Sequence, residues 1–472
     1  MTVSFHGAAQ CVTGSKHLLE LEDGTQILLD CGMFQGNPVE AAALNRKFGF
    51  NPYNIDVLLL SHAHIDHCGL IPKLVKEGFT GKIYCTPATF DLAKILLFDS
   101  AHIQQSDASF LNKHRHKKGE AEIEPLYTLD DVNTALEYFI PVPINEKVEL
   151  TPRASFMYTD VGHILGSTAI NVTILENGKE IRIAFSGDVG RYNDEILHAP
   201  QPFPQADYLI LESTYGDRLH DNIIETDTKL LETITQTCVV NKGKLVIPAF
   251  SVGRTQEIVY ALNRLQITNR LPEIDFFVDS PLSVEATQVI KAHSECYNDK
   301  LLQFMKRDPE PFDFKRLHYI ERVEDSKALN SYNGPCVIIS SSGMADAGRV
   351  KHHIRNIISD ARNCILLVGY CEPRSLGYSC VQPLPSLFVL RRFIQFNFDQ
   401  ESGIEPNRHR PNISSGRSDR RNGLLIFPTE IGFKSNRLLR GGAFFSRYRS
   451  IDSRISSAVE RSCCCARFLN SR

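Results

Sequence analysis

Three imidazoles and one carboxylate fall within six positions of the segment Ser61-His62-Ala63-His64-Ile65-Asp66-His67-Cys68-Gly69. Neutral imidazole and carboxylate are ligand types that suit Zn²⁺. In an extended turn His62 and His64 can point to one side while Asp66 and His67 turn to a neighbouring point. Two adjacent metal ions on a rigid support are the chemistry this implies. A surface loop merely rich in histidine is the competing reading, but the spacing H-x-H-x-D-H is hard to reach by chance. One loop cannot complete two coordination spheres, so other strand ends should contribute. Gly162-His163-Ile164-Leu165-Gly166 offers His163 between glycines that permit close backbone approach. Ser186-Gly187-Asp188 offers Asp188, a carboxylate able to bridge two cations. Leu29-Asp30-Cys31 offers Asp30, better suited to accept a hydrogen bond from a ligand imidazole and so orient it. Each of these taken singly reads as a turn or cap residue; their order along the chain joins them to the histidine loop.

The elements that must position these residues follow from periodicity. Residues 16–22 and 25–30 read as a hairpin around Asp23-Gly24, and 55–61 as a buried strand leading into the histidine loop. Helices are expected over about 70–77, 89–113 and from Thr128, a good cap, to before Pro141. Strands return between 154 and 188, with Asn177-Gly178 as a turn. From Asp207 short apolar strands (208–212, 244–248, 274–278, 336–340, 364–368) alternate with helices (227–240, 255–265, 283–293, 348–358). That alternation argues a parallel, helix-flanked sheet. Two lobes are expected, 1–206 and 207–377, followed by an atypical tail, 378–472.

The chain has 472 residues, 42% hydrophobic and 23% charged, which excludes disordered, collagen-like and coiled-coil classes. Its longest apolar runs, such as Val57-Leu58-Leu59-Leu60, fall far short of the ~18 residues that span a bilayer. No basic, apolar leader is visible, so no membrane association and a cytoplasmic location are expected. The cysteines before residue 379 are scattered without a C-x-x-C pair, which suggests reduced, mostly buried thiols. The net charge of −3 hides a break. From Ser379 onward sixteen basic residues, all Arg but Lys434, face seven acidic ones, whereas the preceding residues carry 36 basic and 48 acidic side chains. A basic tail can be a nucleic-acid arm; so abrupt a switch also suits a shifted reading frame.

In order and context Asp30, the His62–His67 loop, His163 and Asp188 resemble the motifs of the metallo-β-lactamase fold. The resemblance continues with Glu212 in Leu211-Glu-Ser-Thr-Tyr-Gly-Asp-Arg218, with Pro248-Ala-Phe-Ser-Val-Gly-Arg-Thr-Gln-Glu257, with Asp279-Ser-Pro-Leu-Ser283 and with Ser340-Ser-Ser-Gly-Met344, which are similar to signatures of the β-CASP nucleases. It covers residues 1 to about 377 and implies an α/β fold: a metallo-β-lactamase αββα sandwich with an inserted α/β β-CASP domain. It further implies a zinc-dependent phosphodiesterase acting on RNA, with RNA as partner and a homodimer as a further possibility. His62, His64 and His163 would hold one Zn²⁺, Asp66 and His67 a second, and Asp188 would bridge them. The two ions, roughly 3.5–4 Å apart, would share a hydroxide that attacks phosphorus. Asp66 and Asp188 would thus serve catalysis as well as binding, and Glu212 would position groups or relay a proton near the metals. Its plainer reading is a strand-end acid in a salt bridge. For substrate contacts, Arg254 could meet a phosphate bidentately, and Ser340, Ser341, Ser342 and Gly343 could bind an anion through backbone amides; turn and capping chemistry is the alternative for both. Since the body is acidic, RNA binding would have to come from a local cleft between the lobes.

The pattern breaks after Gly377. The family brings two more histidine motifs, one of the form S-x-H-x-D and one that completes the second metal site. After His353 the chain has only His409, which matches neither. A shifted frame from about codon 378 is the expectation, leaving the second zinc site incomplete. A catalytically impaired RNA-binding relative, or another hydrolase of the same metal fold, are the alternatives.

Overall fold

The computed structural model describes residues 1–116, 119–216, 226–381, 393–395 and 425–428. The tail beyond these stretches, with His409 and Cys463-Cys464-Cys465, and Asp217-Arg218 of the LESTYGDR motif lie outside the described residues.

Two compact units form. Of the described residues, the first comprises 1–116, 119–190, 200–214 and 425–428. Its first sheet runs β1 (Thr2–Phe5), β2 (His17–Glu20), β3 (Gln26–Leu29), β4 (Val57–Leu59), β5 (Lys82–Cys85), β6 (Phe139–Pro141) in that spatial order. β1 to β3 are antiparallel, through the expected turn at Asp23-Gly24, and β3 to β6 are parallel. The second sheet carries β7 (Val148–Thr151), β8 (Ala154–Asp160), β9 (Thr168–Glu176), β10 (Lys179–Phe185) and β11 (Tyr208–Leu211). The inner faces of both sheets share one core, including Leu19, Leu29, Leu59, Tyr84, Phe156, Tyr158, Ile170 and Phe185. Tyr158 Oη donates to the Tyr84 carbonyl at 2.7 Å and so links the two sheets. This unit also has helices α1 (Pro38–Asn45), α2 (Ile65–Cys68), α3 (Ile71–Lys76), α4 (Pro87–His116) and α5 (Leu129–Leu136). The Thr128 cap forms a full capping box with Asp131.

One strand departs from the sequence reading. Tyr208–Leu211, expected among the strands of the second lobe, pairs in parallel with β10 of the first unit. Its apolar run looks like any buried parallel strand, and periodicity cannot say which sheet receives it.

Of the described residues, the second unit comprises 191–199, 215–216, 226–381 and 393–395. It holds α6 (Thr226–Ile234), β12 (Lys244–Pro248), α7 (Arg254–Ile267), β13 (Asp275–Asp279), α8 (Pro281–Ala292), α9 (Asp299–Met305), β14 (Leu317–Ile320), α10 (Val323–Ala328), β15 (Cys336–Ser340), α11 (Val350–Ile357), β16 (Cys364–Leu367), α12 (Leu376–Val381) and β17 (Phe393–Gln395). All six strands pair in parallel, in the order β14-β13-β15-β12-β16-β17. β14 was not anticipated, because Leu317-His-Tyr-Ile is too short and polar to read as a strand alone. The stretch 235–240, expected as plain α-helix, continues α6 as a π-helical turn. In the first unit's sheet a last strand, β18 (Leu425–Pro428), pairs antiparallel with β11. Cys31, Cys68, Cys85, Cys238, Cys336 and Cys371 are buried free thiols, as their scatter implied. Among the described residues no helix is long and apolar enough to cross a membrane.

Candidate metal centre

Parallel pairing of β3 with β4 brings their carboxyl ends to one edge of the sandwich, so Asp30 and the histidine loop emerge side by side. The β8–β9 connection, carrying His163, and Asp188, three residues beyond the end of β10, meet them there. Two close backbone approaches hold the loops together. A Cβ on Gly32 would lie 1.6 Å from the Asp66 carbonyl oxygen, and one on Gly190 would lie 1.9 Å from that of Gly162. Only glycine fits at either point.

His62, His64, His163 and Asp188 each present one ligand atom, all within 4.8 Å of one another. His62 Nε2 and His163 Nε2 each sit 3.1 Å from His64 Nδ1. Asp188 Oδ2 lies 3.5 Å from His163 Nε2 and 3.8 Å from His62 Nε2. Roughly 3.3 Å is the ligand-to-ligand separation that metal–nitrogen bonds of about 2.0–2.1 Å give in a tetrahedral site. The donor set and its spacing therefore fit a metal ion. Burial pushes the His64 imidazole down to about 3 and holds His62 well below the usual range, so both offer neutral nitrogen.

Asp66 and His67 sit beside this set. His67 Nε2 lies 3.3 Å from Asp188 Oδ1 and 4.0 Å from Asp66 Oδ2. Burial works against charge on His67, yet Asp188 and Asp30 together raise its pKa well above the imidazole range. Burial likewise opposes charge on Asp188, but His67 beside it keeps this carboxyl well below the usual carboxylate range. Burial raises Asp66.

Asp30 is fully buried and sits behind the ring of His67, whose Nδ1 donates to Asp30 Oδ2 at 2.7 Å. The same carboxylate accepts from Ser61 N at 2.8 Å, Ser61 Oγ at 2.9 Å and Ser15 Oγ at 3.1 Å. Ser15 and Ser61 were missed at the sequence level, where nothing distinguishes them from ordinary loop serines. Also missed was His17, the first residue of β2, whose buried ring lies between Phe5 and Phe185 at 5.2 Å from each. Burial pushes it down to about 3, so it is neutral.

Glu212 follows β11; it lines one cavity with Asp188, His67, His17, Ser15 and Thr214. Its Oε1 accepts from Val189 N at 3.0 Å and its Oε2 from Thr214 N at 3.4 Å. The first of these bonds braces the loop that carries Asp188.

The remaining sequence-predicted residues belong to the second unit. Arg254 opens α7 with its Nη1 2.6 Å from Glu257 Oε2, an ion pair that already occupies this guanidinium. Ser340 Oγ is buried and donates to the Asp279 carbonyl at 2.8 Å, so this hydroxyl turns into the sheet. Ser341 Oγ donates to Ser280 Oγ at 3.0 Å, and Ser342 and Gly343 continue the loop after β15. Asp279, with its side chain fully buried, is held by Arg349 Nη1, His353 Nε2 and Ser326 Oγ, each at 2.6 Å.

Residues 15–219 match the metallo-beta-lactamase superfamily model and 255–379 the Beta-Casp domain model. Ribonuclease TTHA0252 of Thermus thermophilus is 35% identical over 384 residues, 81% of this chain and 82% of that protein. The RNase J-like protein of Methanocaldococcus jannaschii is 29% identical, covering 79% of each chain. Transcription termination factor FttA of the same organism is 28% identical over 79% of this chain, which spans 57% of FttA's length. The order of the motifs, the paired sheets with their histidine-rich edge and these matches agree: the chain belongs to the metallo-β-lactamase superfamily of hydrolases, in its β-CASP branch.

Proposed function

We propose that this chain is a zinc-dependent ribonuclease that hydrolyses RNA phosphodiesters in RNA processing. The observation that carries the reading is the four-residue cluster of His62, His64, His163 and Asp188. These residues would hold one Zn²⁺, and Asp66, His67 and the shared Asp188 would offer donors to a second. Zinc so held supplies Lewis acidity toward a phosphoryl oxygen. The protein's own part is orientation. Asp30 fixes the tautomer of His67 by taking its Nδ1–H, which leaves Nε2 as the donor atom. Glu212 holds the backbone after Asp188 in place. In the second unit, backbone amides of the 340–343 loop and the Arg254 guanidinium would meet RNA phosphates, the Ser342 amide by exchanging the Ala347 carbonyl it now donates to and the guanidinium by exchanging its Glu257 partner. Relatives named as a ribonuclease and as RNase J-like support RNA over other substrates. A cytoplasmic location and a homodimer belong to the same reading, as does a division into two lobes and a tail with the first boundary moved from 206/207 to beyond β11.

The lone histidine after His353, His409, favours a second reading in which the chain binds RNA but cleaves it poorly. Incubating the full chain with labelled single-stranded RNA and Zn²⁺ separates the two. The first reading expects cleavage that is abolished by a chelator and by Asp188→Asn. RNA binding without chelator-sensitive cleavage selects the second, and turnover of a thioester in place of RNA overturns both.

A further inference from the structure

The Asp30 carboxylate connects outward as well as to His67. Ser15 Oγ, one of its donors, lies 3.3 Å from His17 Nε2. A hydroxyl has one proton, and facing a carboxylate with none it gives that proton to Asp30. The serine oxygen is then an acceptor, so His17 must be the Nε2–H tautomer. Its other nitrogen fits this assignment: Nδ1 is buried with no hydrogen-bond partner, and a lone pair is the less costly group to leave unmatched. Donation from His17 also removes the freedom of the Ser15 hydroxyl to rotate away from Asp30. The Phe5 and Phe185 rings fix the imidazole in turn, so the series is anchored in the core.

We propose that His17 is a positioning residue for the metal centre, acting through Ser15 and Asp30 on the ring of His67. The inference rests on the metal-centre reading given above. Loss of the His17 donor lets the Ser15 proton turn away, weakens the hold of Asp30 on His67, and loosens the Nε2 donor beside Asp188.

The test is Zn²⁺ affinity of the full chain, by competition with a chromophoric chelator, with melting of the metal-free protein followed alongside. Ser15→Ala and His17→Phe should each weaken a Zn²⁺ site by about tenfold, the scale of losses behind a ligand histidine. Ser15→Thr and His17→Gln, which keep a hydroxyl and a donor, should stay near wild type. The double variant S15A/H17F should bind no more weakly than S15A, because one series of bonds can be broken only once. A separate packing role would instead make the two losses multiply, and that result overturns the proposal. So does wild-type affinity in H17F. If H17F does not fold, H17Q decides: affinity as weak as that of S15A in H17Q overturns the relay. Failure of the wild type to take up Zn²⁺ at all overturns the metal reading and the relay with it.

Discussion

Asp30 shows how much one buried side chain can organise: four hydrogen bonds, from two serines and a histidine, converge on it. Asp30→Asn would put an amide N–H₂ where every neighbour is a donor. We expect metal affinity to fall about 10–100-fold, measured by competition with a chelator, while secondary structure by circular dichroism is retained. Gly32→Ala carries a steric prediction instead. Its Cβ would collide with the Asp66 carbonyl, so the histidine loop must move and both melting temperature and metal uptake should drop. Retained uptake in a stable Gly32→Ala protein would show that the loop tolerates displacement. At this scale the sequence was informative where ligands share a short segment. His62, His64, Asp66 and His67 announce themselves, but Ser15 and His17 touch the site through the paired strands β2 and β3 and carry no local signal.

Elements show the same division. The buried strand before the histidine loop, the Thr128 cap and the alternating strands of the second unit all follow from periodicity and turn chemistry. The sheet membership of Tyr208–Leu211 did not, because parallel pairing with β10 is a long-range choice that an apolar run leaves open. The end of β13 offers a test within one unit. Asp279→Asn would leave Arg349 without its carboxylate, and breaking a buried pair this way costs about 3–5 kcal/mol. Burial disfavours the charged Asp279 carboxyl, but bonds from His353, Ser326 and Arg349 hold its pKa below the ordinary value. A depressed acid stabilises the fold above its unfolded-state pKa of ~3.9 and loses that contribution as pH falls through the folded value. The gap between wild type and D279N in urea denaturation should therefore be full at pH 7 and narrow only below about pH 4. A gap independent of pH down to pH 3 would assign the cost to packing.

For the whole molecule, charge and motif order point the same way. The Arg-rich composition from Ser379 coincides with the place where the family motifs stop. We propose that a frame change near codon 378 accounts for both. Sequencing the gene across codons 360–400 and translating every frame should then recover a Ser-x-His-x-Asp motif; no such motif in any frame would establish the tail as genuine. The account as a whole turns on the metal cluster. The most direct measurement is the zinc content of the purified full chain after dialysis against limiting Zn²⁺, by plasma mass spectrometry, beside a His64→Ala/His163→Ala variant. The account predicts at least one tightly held zinc per wild-type chain, lost in the folded double variant. Wild-type protein without zinc, or a double variant that retains it, would contradict the assignment of His62, His64, His163 and Asp188 as the metal centre.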